Sequence, residues 1–210
     1  MQRNIIRLAT GVFAIALIAG SAAVWAQSAP PIRIRGTIEK VDGNTLVIKA
    51  REGNEVTVTT PDNVRVMGFV KASIEDIKPN SYIGVTADPQ PDGSQKAVAI
   101  HIFGEAQRGT GEGHRPWDLR PGTTMTNAAV DTIATAVDGR VVTVKYKAGD
   151  KTDEKKVVVP PNIPIVAYVA GDKSELKPGT AIIIFNANKQ PDGSLQAPAV
   201  NVGRGLTPPM

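Results

Sequence analysis

The sequence predicts an all-β protein that consists of two homologous small OB-like β-barrel domains in tandem after a signal peptide. The first observation behind this prediction is the string QPDGS, which occurs at residues 90–94 and again at residues 190–194. Proline, aspartate and glycine in this order are typical of a tight turn between two paired strands. Because the flanking segments match as well, the same hairpin, and with it the same domain, occurs twice in the chain.

The match between the two halves of the chain extends well beyond this turn. Its offset is 96 residues near the start, 99 in the middle and 100 at the turn. The first change of offset falls in the charged hairpin tip YKAGDKTDEKK, where a fold tolerates insertions. We therefore predict a first domain at residues 27–104 and a second at residues 128–204. The aligned segments are VDGNTLVIK with VDGRVVTVK (41–49 and 137–145), PDNVRVMGFV with PPNIPIVAYV (61–70 and 160–169), and IKPNSYIGV with LKPGTAIII (77–85 and 176–184).

The alternation of apolar and polar residues predicts strands within each domain. In IRIRGTIEK, Ile32, Ile34 and Ile38 alternate with polar or charged residues, so that one side of the strand faces a core. Each domain has five or six such strands with turns about every 8–12 residues, which predicts a small barrel or sandwich. This order in a unit of this size favours a partly open OB-like barrel.

The first 26 residues have the pattern of a secretory signal peptide. Arg3 and Arg7 form a basic head, an apolar stretch follows from Gly11, and small residues precede a predicted cut after Ala26. The apolar stretch is shorter than the roughly 20 residues of a membrane span, which favours cleavage over a retained anchor. The chain contains no cysteine, which excludes disulfide bonds and a cysteine-linked lipid anchor. We predict a periplasmic protein without a transmembrane domain in the mature chain.

The two predicted domains are joined by a segment of different composition. Residues 105–127 are rich in glycine, threonine and charge and show no regular alternation, which predicts a linker. Residues 205–210, GLTPPM, are predicted to form a disordered tail.

The distribution of charge argues against a nucleic acid as the partner. Removal of the signal peptide takes away two arginines and no acid, so the mature chain has 22 basic and 20 acidic residues. Residues 27–103 carry nine basic and nine acidic residues, and residues 128–203 carry nine and eight. An OB fold that binds single-stranded nucleic acid uses a basic groove and stacking aromatic residues, and aromatic residues make up 4% of this chain.

The chain offers few groups for catalysis or for a metal site. It has no cysteine and two histidines, His101 and His114, whereas nucleophilic, acid–base and transition-metal sites draw on clustered histidine and cysteine. His101 lies in the strand pattern AVAIHIF on the face opposite to Ile100, and we predict a surface residue. The string DPQPDG resembles the start of an EF-hand loop, but Ala99 stands where the closing glutamate is needed. We predict no catalytic residue, no metal site and no cofactor.

Five residues are candidates for contact with a ligand or a partner. Phe69 and Tyr168 occupy the same position in the two predicted domains. They are either shared core residues or aromatic residues at the mouth of a binding face. His114, Arg115 and Trp117 lie in the linker, and tryptophan and arginine are enriched at interaction hot spots. Trp117 either packs on a neighbouring barrel and fixes the linker or contacts a partner, and the sequence leaves both alternatives open.

Several motifs resemble an exported bacterial family that is catalogued as a domain of unknown function, here present as a tandem repeat. They are the signal segment and the patterns G-x-I/V-x-x-V-D-G-N, D-I-K-P-N-S and D-G-S-x-x-A-x-x-I. The resemblance implies an OB-like β fold and export, and it brings no catalytic or ligand residues, since none are established for the family. Some relatives carry the label of metal-transporter permeases. A permease needs several membrane spans, and this chain has one short apolar stretch.

These observations favour a non-enzymatic periplasmic binding or scaffold protein, whose partner is an unknown envelope protein, a glycan or a small molecule. One alternative is a metal-handling accessory of an envelope transporter, in which carboxylates would converge with His101 or His114. The other is a hydrolase with a site at the domain junction, in which His114 would lie near Asp118 or Glu112. The positions of these residues in space distinguish the three hypotheses.

Overall fold

Strands account for most of the residues described by this computed structural model, which are 32–137 and 139–210. The predicted signal peptide and its cut after Ala26 lie outside the described residues. The all-β prediction is confirmed, because helical residues in the described ranges are confined to three single turns, at Ile74–Asp76, Glu105–Gln107 and Lys173–Glu175. In the same ranges, no helix has the length and apolar character needed to cross a membrane.

The N-terminal half contributes six strands and the C-terminal half seven, with one short strand between them. The first six are β1 (Ile32–Asp42), β2 (Thr45–Ala50), β3 (Glu55–Thr59), β4 (Arg65–Ala72), β5 (Tyr82–Pro89) and β6 (Gln95–Ile102). The short strand is β7 (Gly113–Pro116). The last seven are β8 (Thr124–Ala136), β9 (Gly139–Ala148), β10 (Lys151–Val159), β11 (Ile165–Ala170), β12 (Ala181–Lys189), β13 (Leu195–Gln196) and β14 (Ala199–Gly203).

The strands close into two five-membered rings, and each ring mixes the two halves of the chain. In the first ring, β1, β2 and β3 are joined by β13 and β12, and β12 returns to β1. In the second ring, β8, β9 and β10 are joined by β6 and β5, and β5 returns to β8. Each half therefore supplies three strands to one ring and its closing hairpin to the other. The pairings do not separate the chain at the predicted domain boundary.

The two halves of the chain thus exchange their closing hairpins. This exchange follows from the course of β4 and β11, which carry the chain from one ring of strands to the other. An extended strand of eight residues such as β4 spans roughly 26 Å. The two strands pair antiparallel, and the pair at their centre is Phe69 with Tyr168. These residues are 99 positions apart, the offset of the sequence match, so the two halves meet at equivalent positions.

Three apolar clusters result from this arrangement. Ile34 and Ile38 of β1 point into the first ring, as the alternation predicts, and a second cluster that includes Ile83 and Ile100 fills the other ring. The third cluster, which we call the inter-ring core, is separate from the clusters that fill the two rings of strands. Its buried members are Phe69, Trp117, Met125, Val166, Ile183 and Met210.

The predicted linker and tail take part in this fold. Within residues 105–127, β7 pairs with β8, and β8 begins at Thr124, before the predicted start of the second domain. The predicted disorder of residues 205–210 is wrong. Met210 is fully buried in the inter-ring core, and its carbonyl oxygen accepts a hydrogen bond of 2.5 Å from Arg35 Nε. The apolar cluster gives the tail a place to bury its side chains, which local composition does not reveal.

Candidate functional site

Phe69 and Tyr168 lie at the inter-ring core rather than at the mouth of a binding face. Their ring centroids are 4.5 Å apart, and Tyr168 also stacks on Phe103 at 5.2 Å. Phe69 is completely buried. The position that the two residues share in the sequence therefore reflects shared packing, which is the first of the two roles that the sequence left open.

His101 is buried, so the prediction of a surface residue is wrong. Its ring lies directly over Gly84 of β5, where an added Cβ would be 2.0 Å from both Cε1 and Nε2. Gly84 is paired with His101 on one side and with Asn127 of β8 on the other. Burial lowers the pKa of His101 to about 3, with a smaller contribution from the nearby charge of Arg115. The His101 side chain thus faces away from the interior of the second ring of strands, as predicted, but other residues cover that face of the sheet.

Trp117 is the residue of the predicted linker that connects most parts of the structure. It is 8% exposed, and the Arg33 guanidinium lies over its ring at 4.0 Å. Arg115 is 5.7 Å from the ring centroid. Asp118, the next residue after Trp117, accepts hydrogen bonds from Arg33 at 3.2 Å and from Arg35 at 2.7 Å. These contacts hold the segment against β1, which supports the packing role of Trp117.

His114 makes its side-chain contact with Thr126, while Glu112 and Asp118 have other hydrogen-bond partners. Its Nδ1 lies 2.8 Å from Thr126 Oγ1. Glu112 accepts a hydrogen bond from the backbone N–H of Lys147, while Asp118 is engaged with arginines. Burial lowers the pKa of His114 below its usual value, and the charge of Lys155 adds to this effect. Of the five predicted contact residues, Phe69, Tyr168, Arg115 and Trp117 come together around the inter-ring core, and His114 makes a separate contact with β8.

A groove with a volume of about 820 Å³ opens elsewhere on the molecule, at the end of β4. This volume is in the range typical of small-molecule sites, about 300–1,000 Å³. We call it the corner groove. Four segments line it: residues 71–75 at the end of β4, Gly139 and Arg140 at the start of β9, residues 159–166 between β10 and β11, and residues from 204 to 209 of the tail.

The walls of the corner groove are mainly apolar, with Ser73, Asn162 and Thr207 as uncharged polar members, and the charges of its described residues are mainly positive. Its lining includes the apolar residues Ile74, Ile163, Ile165 and Leu206 and the prolines Pro160, Pro161, Pro164 and Pro209. The charged lining residues are Lys71, Arg140, Arg204 and Glu75. Among the described residues that line the groove, three are cations, one is an acid and none is aromatic.

Two of the three cations are held in different ways. Arg204 Nε and Nη2 donate to the two carboxylate oxygens of Glu175, each at 2.8 Å, and Nη2 also donates to the carbonyl oxygen of Ala170. This ion pair raises the pKa of Arg204 and lowers the pKa of Glu175. Arg140 lies 4.0 Å from Glu75, and both side chains are exposed. Arg204 is therefore fixed, whereas an exposed pair at the distance of Arg140 and Glu75 contributes little and leaves the guanidinium free to bind.

The equivalent corner on the other side of the molecule is bridged by polar side chains. Lys173 Nζ donates to Asn44 Oδ1 at 2.7 Å, and Asn44 Nδ2 donates to Asp62 Oδ1 at 2.6 Å. We call this Lys–Asn–Asp chain the closed corner. It links the turn after β11 to the β1–β2 turn and to the start of the segment that leads into β4.

The residues of the corner groove that match the closed corner cannot form such a bridge. By the offsets of the sequence match, Ile74 corresponds to Lys173, Arg140 to Asn44 and Pro161 to Asp62. Isoleucine and proline side chains carry no hydrogen-bonding atoms. These residues do not stand out in the sequence match, because the match rests on positions at which the two halves agree. The signal in the sequence that could have indicated the corner groove is the set of aligned positions at which the two halves differ in polarity.

Comparison with known proteins adds no further assignment, since no family model, no curated protein and no solved structure matches this chain. In the described residues, no group of three or more histidine, cysteine, aspartate or glutamate side chains is arranged to hold a metal ion.

Proposed function

We propose that this chain is an exported, non-enzymatic periplasmic binding protein whose ligand occupies the corner groove. The observation that carries the proposal is the contrast between two matched corners, one bridged by Lys173, Asn44 and Asp62 and the other open. Replacement of a bridging set by apolar residues and an arginine creates both space and a recognition group.

The frame of this site, in our proposal, is a pair of homologous OB-like domains that exchange their closing hairpins within one chain. The sequence match at offsets of 96–100 residues supports the homology. The central pairing of Phe69 with Tyr168 at equivalent positions supports the exchange. Membership of the exported family of unknown function that the motifs resemble remains part of the proposal, as does the signal peptide.

The contacts of the histidines favour binding over the two alternatives. A hydrolase at the domain junction requires Asp118 or Glu112 beside His114, and these acids bind Arg35 and the Lys147 backbone instead. A metal-handling accessory requires carboxylates that converge on His101 or His114. The imidazole of His101 packs edge-to-face against the stacked rings of Phe103 and Tyr168, with centroid distances of 4.6 and 5.5 Å.

The proposal is tested by a thermal-shift screen of the purified protein and of a variant that rebuilds the closed corner, Ile74→Lys/Arg140→Asn/Pro161→Asp. The screen covers small molecules, glycan fragments and lipid fragments. A ligand of the folded state at a hundred times its dissociation constant is expected to stabilise the native protein by about 2.7 kcal/mol. We expect this shift to disappear in the triple variant.

Lys173→Ala, which opens the bridge at the closed corner, serves as the matched control and should retain the shift. A ligand that stabilises the native protein and the triple variant equally would place binding outside the groove and contradict the proposal. The triple variant must itself show a cooperative transition for the comparison to count, and Arg140→Asn alone provides a milder version if it does not.

A further inference from the structure

We infer that the corner groove takes an elongated aliphatic molecule with a single anionic head group. This inference rests on the proposed function and adds the chemical class of the ligand. The shared chemistry covers a free carboxylic acid and a phosphate-bearing lipid fragment, and the experiment below distinguishes the two.

The apolar part of the ligand is specified by the walls. Ile74, Ile163 and Leu206 present aliphatic side chains from three different segments of the lining. The four prolines of the lining add apolar rings and lack the backbone N–H. These aliphatic and proline surfaces favour burial of hydrocarbon, which is stabilised by about 25 cal/mol for each Å² removed from water. Ser73, Asn162 and Thr207 are the uncharged polar side chains of the lining.

The head group is specified by the excess of positive charge. Among the described lining residues, the cations Lys71, Arg140 and Arg204 outnumber the one acid, Glu75. Arg204 is already neutralised by Glu175 outside the lining, so Arg140 and Lys71 are the groups left to bind an anion. In the described residues, neither has an acid closer than 4.0 Å. A guanidinium binds a carboxylate or phosphate through two parallel hydrogen bonds, which makes Arg140 the main anchor.

The absence of aromatic residues among the described lining residues argues against a nucleobase as the ligand. Proteins that bind nucleobases without sequence preference stack them on aromatic side chains. The corner groove provides aliphatic walls and cationic side chains instead. A molecule with one chain and one charge matches this pattern, because its two ends have different chemistry.

The inference is tested by calorimetric titration of the purified protein with decanoate, decyl phosphate, decanol and acetate. Decanoate or decyl phosphate is expected to bind at least about tenfold more tightly than decanol, which has the chain without the charge, and than acetate, which has the charge without the chain. The preferred one of the two anions identifies the source of the head group. Arg140→Ala is expected to weaken binding of that anion by about tenfold or more, the effect of losing a charge-assisted contact.

The matched control is Arg65→Ala, which removes an exposed cation at the start of β4 and should leave the affinity unchanged. Equal affinities for decanoate and decanol, with no effect of Arg140→Ala, would contradict the inference that the ligand has an anionic head group. If no decyl compound binds but another ligand of the screen does so in a groove-dependent way, this inference fails while the proposed function stands. If no ligand of either experiment loses its binding in the triple variant, both this inference and the proposed function fail.

Discussion

Substitution of Trp117 by alanine is expected to lower the free energy of unfolding by about 3–5 kcal/mol, the usual range for removal of a large buried aromatic side chain. Trp117 packs in the inter-ring core beside Phe185, and Arg33 lies over its ring. The lost free energy includes the cost of the cavity that remains in the inter-ring core and the lost contact with the Arg33 guanidinium. Because the segment that carries Trp117 bridges both halves, unfolding should remain a single transition at a lower urea concentration.

The measurement is urea denaturation followed by far-ultraviolet circular dichroism. Tryptophan fluorescence is unsuitable, because the chain has two tryptophans and Trp25 lies in the predicted signal peptide, so that the Trp117→Ala variant would retain no tryptophan after cleavage. Trp117→Phe is the control, and its loss should be smaller because an aromatic ring still fills most of the space. A loss below about 1 kcal/mol for Trp117→Ala, the level of an exposed residue, would show that Trp117 does not anchor this segment.

The second large effect is a dependence of stability on pH that is caused by His101. Burial lowers the pKa of this residue to about 3 in the folded protein, whereas the pKa in the unfolded chain is about 6.5. Below pH 6.5 the unfolded state therefore binds a proton that the folded state refuses. The stabilisation is complete above the unfolded pKa, and it falls by about 1.4 kcal/mol per pH unit as the pH decreases towards 3.

We expect the protein to lose about 3 kcal/mol of unfolding free energy through His101 between pH 7 and pH 4. The measurement compares urea denaturation at several pH values for the native protein and for His101→Asn, which introduces the residue found at the matched position 201. Carboxylates with lowered pKa values, such as Asp118, contribute to both proteins, so the difference in slope isolates His101. Parallel profiles of the two proteins would contradict the prediction.

The sequence predicted the local structure well because turns and alternation are local signals. The turns around Gly93 and Gly193, where φ is +83° and +85°, require residues that accept a left-handed backbone. The burial of Ile34 and Ile38 follows from their spacing in β1. These features depend only on neighbouring residues, so they are readable without knowledge of which strands meet.

The exchange of hairpins could not be predicted, because a barrel closed within one half uses the same strands and the same turns as an exchanged one. The burial of His101 escaped prediction for a related reason. The alternation gives the face of the strand correctly, but residues distant in the sequence cover that face. The corner groove combines four separate segments, and its signal lay in differences such as Ile74 against Lys173.

The corner groove depends on the exchange of closing hairpins between the two halves, because it forms where β4 of the N-terminal half meets the C-terminal half. The chain contains no cysteine, so introduced pairs can be oxidised without interference. Thr59 is paired with Gln196 across β3 and β13. Paired strands lie about 4.8 Å apart, within the range of Cα separations that a disulfide bond bridges, about 4.4–6.8 Å.

The decisive measurement is the yield of intramolecular disulfide in Thr59→Cys/Gln196→Cys and in Thr59→Cys/Lys96→Cys, determined by peptide mass spectrometry on the monomer. Lys96 matches Gln196 in the other half and would be the partner of Thr59 if each half closed its own barrel. In the structure Lys96 is paired with Val158 of β10 instead. If the hairpins are exchanged, we expect a disulfide in the first variant and none in the second, whereas a disulfide confined to the second variant would show that each half closes its own barrel.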